Sequence, residues 1–247
     1  MIERVRYPRI CPVGDQALLV EFGASYSRRT SRQVLAFDNV MNRAPRGVCE
    51  TAPTLKSVLI HFDPELIPAR QVENWCRDQL AEIDWDTKTE RLREGLRWKL
   101  PVVYGGEHGP DLTEIPGLSG QTERQFIDSH TSLDLDVVCL GFSPGLAYLA
   151  ELPKIFDLPR RQSYGRPVPA GSILVANRQT VLPATPIPTG WRRIGMTPVP
   201  TFLPDRKIPF LLAPGDCVRF YPVSAKEAEK ISPETFWDRL EHARSQD

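Results

Sequence analysis

The 247-residue sequence has no net charge, only four histidines and no paired cysteine motif, and each shortage removes a class of function. Lys+Arg 31 equals Asp+Glu 31. A chain without basic excess has no broad attraction for nucleic acid or an anionic membrane surface, so neither is expected as a partner. The five cysteines (Cys11, Cys49, Cys76, Cys139, Cys217) are scattered and odd in number, without a C-x-x-C pair. That favours reduced, mostly buried thiols in a cytoplasmic protein over a disulfide frame. No apolar run approaches the roughly 20 residues of a membrane span. The opening stretch MIERVRYPRICPVGD has no apolar segment of the signal-peptide kind. There is no G-x-x-x-x-G-K-[ST] loop, no G-x-G-x-x-G after a strand, and no ligand spacing that suits a metal. The chain alone is therefore expected to bind neither nucleotide nor metal.

What is abundant is proline, 24 residues, more than half of them beyond Leu140. Proline fixes φ and withholds an N–H, which suits turns and strand ends rather than helix interiors. The C-terminal part is thus expected to be strands and loops, the N-terminal part mixed. Ala17–Phe22 reads as a strand after a Gly14-Asp15 turn. Ser27–Arg43 places Val34, Phe37 and Met41 at helical spacing. Val48–Pro53 and Ser57–Phe62 read as strands. Pro68 can open a helix running to about Ile83, followed by a charged, exposed stretch from Asp84 to Glu94. With Trp98–Tyr104 as a last strand, the order β-α-β-β-α-β predicts a small ferredoxin-like split βαβ domain over 1–95.

Beyond it, Asp111 with Glu114, and Thr122 with Gln125, each fit a capping box. Strands are expected at Asp136–Leu140, Ser172–Ala176, Thr180–Leu182, Arg192–Ile194 and Cys217–Tyr221. Many short strands between turn signals predict a closed or nearly closed barrel over 96–223. Ser224 with Glu227, then Ser232-Pro233, open a helical tail over 224–247. The fold class is α+β.

Gly141-Phe142-Ser143-Pro144-Gly145 matches G-x-S-x-G, the nucleophile elbow. The match fails chemically. The elbow needs the N–H of the residue after the serine, and that residue is Pro144. The downstream histidine is only His242, in the terminal helix. His130 ends the Thr122 helix. It is either a proton carrier at a cleft or a helix-end residue meeting orphan carbonyls. His108 reads as structural, and His61, after a strand, as packing or surface. From Leu158 to Lys207 there are eight basic residues and one acid, Asp205. Guanidinium groups grip carboxylates in two-pronged geometry, so this region suits a small anionic substrate. The alternative is a barrel surface balancing acids elsewhere. Trp191 either walls a pocket or fills the core.

These elements carry a resemblance. Gly141-Phe142, Pro144-Gly145 and Tyr148-Leu149 follow GF-x-PGF-x-YL. Pro159-Arg160, Arg166 and Val168–Ser172 follow PR…PR-x-VPAGSV. Gln179, Gly190-Trp191, Ile194-Gly195 and Thr197 follow Q-x-x-IYP…SPGGW-x-x-IGRT. A YGGE-x-GPDL element spans Tyr104–Leu112, and PGD-x-VRF spans Pro214–Phe220. The chain resembles the family that unites allophanate hydrolase subunit 1, KipI and the B subunit of 5-oxoprolinase, a carboxyltransferase subdomain C/D family.

The resemblance implies a cyclophilin-like barrel after the small α/β domain. It implies a hydrolase subunit that converts 5-oxoproline to glutamate, with ATP used by a complex that includes a companion subunit 2 or C. An allophanate hydrolase or urea carboxylase type of subunit, and a KipI-like inhibitor of a sensor histidine kinase, are the alternatives. Carried over by position, the catalytic candidates are His130, Arg160 and Arg166. The substrate-binding candidates are Phe142, Pro144, Gly145, Tyr148, Gly171, Ser172, Gln179, Trp191 and Thr197. The chain departs from the pattern at Leu146, Leu182, Thr189 and Met196, and at Gly165, where a proline is expected. Losing an aromatic, a glycine and a cation in one cluster alters pocket shape and charge.

Overall fold

The computed structural model describes residues 6–85, 95–162 and 166–245. The chain divides into two compact units, Met1–Glu94 and Gly95–Asp247.

The first unit holds β1 (Arg9–Val13), β2 (Ala17–Glu21), α1 (Arg28–Val40), β3 (Val48–Pro53), β4 (Ser57–Phe62) and α2 (Ala69–Glu82). Ser27 starts α1: its hydroxyl accepts the Thr30 N–H at 3.0 Å, satisfying one of the orphan donors of the first turn. The spacing of Val34, Phe37 and Met41 buries one helix face against Val20, Val58 and Ile60. The sheet is antiparallel, in the order β1-β2-β4-β3.

The neighbours β2, β4 and β3 are those of a split βαβ unit, but the fourth place differs from the sequence expectation. β1 fills it, joined to β2 through Gly14, whose φ of +64° suits the tight turn. Trp98–Tyr104 belongs to the second unit instead, because Trp98, Leu100 and Val102 alternate into that unit's core. Of the charged stretch Asp84–Glu94, residues 86–94 lie outside the described residues.

The second unit runs β5 (Arg97–Tyr104), a 3₁₀ turn (Pro110–Glu114), α3 (Ile115–Ser119), α4 (Glu123–Thr131), β6 (Leu135–Leu140) and β7 (Ala147–Leu149). It continues with β8 (Ser172–Ala176), β9 (Gln179–Leu182), β10 (Arg192–Met196), β11 (Cys217–Pro222), α5 (Ala225–Ala228) and α6 (Glu234–Ser245). Seven strands close a barrel in the order β10-β5-β11-β6-β7-β9-β8, with β8 pairing back onto β10. All pairs are antiparallel except β5 with β11.

Thr122 and Gln125 make the expected capping box, as do Ser224 and Glu227. Asp111 and Glu114 do not. Their segment is a 3₁₀ turn without a side-chain cap, and both carboxylates turn to arginines. Asp216 ties the first barrel strand to the last loop. It accepts the Leu96 N–H (2.8 Å), Trp98 Nε1–H (3.0 Å) and Ala213 N–H (3.0 Å). Trp237 and Leu240 of α6 are buried in the barrel core, so the C-terminal segment is part of this unit's packing.

Both faces of β8 are buried. Ile173 and Val175 point into the barrel with Leu149 and Leu182. Leu174 and Ala176 join Leu146, Val181, Ile187 and Trp191 in a second apolar layer on the opposite strand face. Val168 and Ile187 exchange two backbone hydrogen bonds beside that layer (2.9 and 3.1 Å).

Candidate functional site

The outer layer of the barrel is where the chemistry-bearing side chains gather. Trp191 is buried to 8% exposure against Leu174, Val181 and Ile187. The Arg160 guanidinium lies over its ring, 5.3 Å from the centroid. Such a stack is worth about 0.5–1 kcal/mol at an exposed site. Tyr148, paired with Val181 across β7 and β9, packs against the same layer. Burial pushes its phenol up, nearby Cys139 adds to the rise, and the charge of Arg160 opposes it. Burial also pushes the Cys139 thiol up, to about 11. The phenol therefore stays protonated near neutrality and can donate a hydrogen bond.

Most other arginines of the basic stretch are already committed. Arg161 donates to Asp111, and to Glu114 at 2.9 Å. Arg192 donates to Glu114 at 3.0 Å and to the Pro159 carbonyl. Arg193 reaches the Glu107 carbonyl at 3.0 Å. Arg178 pairs with Glu151 at 2.9 Å and with the Leu152 carbonyl at 3.0 Å. Burial of Glu114 raises its carboxyl, but the hydrogen bonds from Arg161 and Arg192 outweigh that and hold it below the usual carboxylate range. Arg160 has no carboxylate partner among the described residues. Arg166 is also exposed and unpaired among them, and Gly165 beside it lies outside the described residues.

The remaining candidates separate by position. Gly171 sits in a barrel corner with φ +78°, where a Cβ would meet the Thr197 carbonyl oxygen at 2.7 Å. Its carbonyl accepts the Thr197 N–H at 2.9 Å. Ser172 donates to the Pro169 carbonyl at 2.7 Å, and Thr197 Oγ1 accepts the Val199 N–H at 3.3 Å. Gln179 follows a turn in which Asn177 and Arg178 both take positive φ. That turn is braced by Asn177 N–H to Leu158 O (2.7 Å) and Arg178 N–H to Phe156 O (3.1 Å). In the 141–146 loop, Phe142 combines φ +68° with 75% exposure, Pro144 is exposed, and Gly145 packs beside Ala184 and Phe210. Ser143 Oγ is buried without a hydrogen-bond partner among the described residues.

His130 stands inside the barrel wall, fully buried. Its Nδ1 meets the Tyr104 hydroxyl at 2.8 Å and its Nε2 meets Thr180 Oγ1 at 2.9 Å. The Phe220 ring stacks on it at 5.2 Å with an 8° tilt. Burial pushes its pKa down to about 3, so the ring is neutral and both nitrogens are in use. Sequence reasoning missed Asp111 and Glu114 as arginine anchors. The signal was the YGGE-x-GPDL element, whose Asp111 needed a partner once it was not a cap.

A family model for the carboxyltransferase domain, subdomain C and D, matches residues 8–212. The chain belongs to that family. It is 33% identical to the B subunit of 5-oxoprolinase from Bacillus subtilis (strain 168) over 94% of this chain and 99% of that one. It is 32% identical to the corresponding 5-oxoprolinase B subunit of Escherichia coli O157:H7 over 85% of this chain and 94% of that one. Among solved structures, TTHA0988 superposes with TM-score 0.72 at 28% identity, over 85% of this chain and 40% of that one. Kluyveromyces lactis urea carboxylase superposes with TM-score 0.71 at 19% identity, over 89% of this chain and 22% of that one, a likeness of fold alone. This carboxyltransferase-family chain thus spans less than half the length of either of these two solved structures. Among the described residues, no helix is long and apolar enough to cross a membrane and no acidic, histidine or cysteine cluster could hold a metal ion.

Proposed function

We propose that this chain is the B subunit of a 5-oxoprolinase, an enzyme subunit that works with a companion subunit 2 or C. The likeness to two 5-oxoprolinase B subunits over nearly their whole length supports the reading. The structural observation that carries it is Arg160, stacked on Trp191 beside Tyr148 and unclaimed by any carboxylate among the described residues. A guanidinium held over an aromatic face, with a neutral phenol near it, suits the carboxylate of a small lactam acid. Arg166 supplies a second positive charge on the same chain segment. His130, neutral and enclosed, serves as a brace for Tyr104 and Thr180 rather than a group that touches substrate. The reaction breaks the lactam C–N bond with one water to give glutamate, while a second water is consumed as ATP becomes ADP and phosphate. ATP is handled by the assembled complex, since this sequence carries no phosphate-binding glycine loop.

The test is reconstitution with the companion subunit, reading glutamate release from 5-oxoproline. Activity is expected only in the complex and only with ATP. Arg160→Ala is expected to raise KM for 5-oxoproline about tenfold with little change in kcat. Full turnover by the chain alone, or a requirement for biotin, would overturn the proposal.

A further inference from the structure

Two acids absent from the candidate set bind the chain neighbours of Arg160 and Trp191. Asp111 accepts from the Arg161 guanidinium and from the Arg193 N–H at 2.8 Å. Glu114 accepts from Arg161 at 2.9 Å and from Arg192 Nε at 3.0 Å. Arg192 passes the connection on by donating to the Pro159 carbonyl. The Arg161 N–H donates to the Gly190 carbonyl at 2.7 Å. The chain neighbours of Arg160 (Pro159 and Arg161) and of Trp191 (Gly190 and Arg192) are therefore all tied, directly or through one arginine, to Glu114, and Asp111 holds Arg161 as well. Arg160 and Trp191 are what remains between the ties.

We infer that Asp111 and Glu114 are positioning residues of the anion site: they neutralise Arg161 and Arg192 and hold both segments in register, so that Arg160 is the guanidinium presented on Trp191 to a carboxylate ligand. The ligand half of this inference rests on the proposed role of Arg160. The side chain of Asp111 is 8% exposed, and Arg161 is one-third exposed. Removing either acid takes one of the two carboxylates from Arg161, and removing Glu114 also takes the carboxylate from the buried Arg192, so a partly buried cation is left under-neutralised and shifts toward another partner. Arg161 then competes with Arg160 for the ligand, and the Pro159–Arg161 segment loses its anchor. An ion pair that served only the fold would change melting temperature without acting selectively on the Arg160 stack.

The experiment uses the full chain and its reconstituted complex. The Arg160 side-chain resonances, assigned by their loss in Arg160→Ala, are displaced by the Trp191 ring current and report the stack without any ligand. Asp111→Asn and Glu114→Gln are expected to return them toward values of a free arginine. In the complex, both should raise KM for 5-oxoproline about tenfold with kcat within about twofold, and Glu114→Asp should recover part of the loss. If Asp111→Asn does not fold, Glu114→Gln, at a 43% exposed side chain, carries the same test. Resonances unchanged in the folded variants overturn the inference. So does a lost stack with unchanged KM when Arg160→Ala raises KM. If Arg160→Ala leaves KM unchanged, the substrate reading fails, while the resonances still decide whether the acids position the stack.

Discussion

Lowering the pH should unfasten the second unit through His130. The ring is fully buried, with Tyr104 and Thr180 on its two nitrogens and Phe220 stacked on its face. Burial pushes its pKa from 6.5 down to about 3. The folded state therefore refuses a proton that the unfolded chain accepts. Stability from this group is fully present above about pH 6.5 and is lost as pH falls below it. Between pH 7.5 and 5, those two values correspond to a loss of about 2 kcal/mol, a sizeable part of the 5–15 kcal/mol of an ordinary domain. Urea unfolding at pH 7.5, 6 and 5, on the wild type and on His130→Gln, isolates the contribution. All other groups are common to the two proteins, so the comparison isolates residue 130. The wild type should lose about 2 kcal/mol more than the variant over this range. A His130 ring resonance that titrates near 6.5 in the folded protein, or equal pH slopes for the two proteins, would refute the reasoning.

Three further outcomes are expected. Thr180→Val removes the partner of His130 Nε2 at nearly constant volume; leaving that nitrogen unsatisfied should cost about 1–3 kcal/mol, read as a lower urea midpoint with unchanged m. Gly109→Ala would drive a Cβ into the Ile194 carbonyl group, so loss of about 1–3 kcal/mol, or insoluble expression, is expected, and a variant as stable as wild type would show the approach to be looser. Glu114 has its carboxyl held below the usual range by Arg161 and Arg192, so its stabilisation is present above the unfolded carboxylate pKa and fades as pH falls through the lower folded value. Glu114→Gln should therefore flatten the acid limb of a pH–stability curve below about pH 4.5 and leave the neutral region's slope unchanged.

Much of the fold was legible because local rules and packing agree. Thr122-x-x-Gln125 and Ser224-x-x-Glu227 form their capping boxes because each side chain is the nearest partner for orphan N–H groups. Ser172–Ala176 is a strand where an apolar run lies, and Arg192–Met196 covers the strand expected from Arg192 to Ile194. What failed depended on distant partners. Arg9–Val13 contains a cysteine and a proline and reads as a poor strand, yet it is held as an edge by β2. Trp98–Tyr104 has the alternation of a sheet strand, and nothing in its own residues says which of two sheets it joins. Asp111 and Glu114 have the spacing of a cap, but arginines about 50 and 80 residues away compete for their oxygens and win. The site shows the same limit. The basic stretch was visible in composition, whereas its division into claimed and unclaimed guanidinium groups is set by acids lying outside it.

The parallel pairing of β5 with β11 has a consequence for how the protein is made. β11 slots between β5 and β6, although the Leu96–Asp216 contact at its start joins positions 120 residues apart. During synthesis, the β5 and β6 edges must wait unzipped until Pro222 has cleared the ribosome. Long waits of this kind slow folding and leave sticky edges on view. The same open slot invites a repair in trans: a chain stopped just before Cys217 should accept its missing stave as a separate peptide.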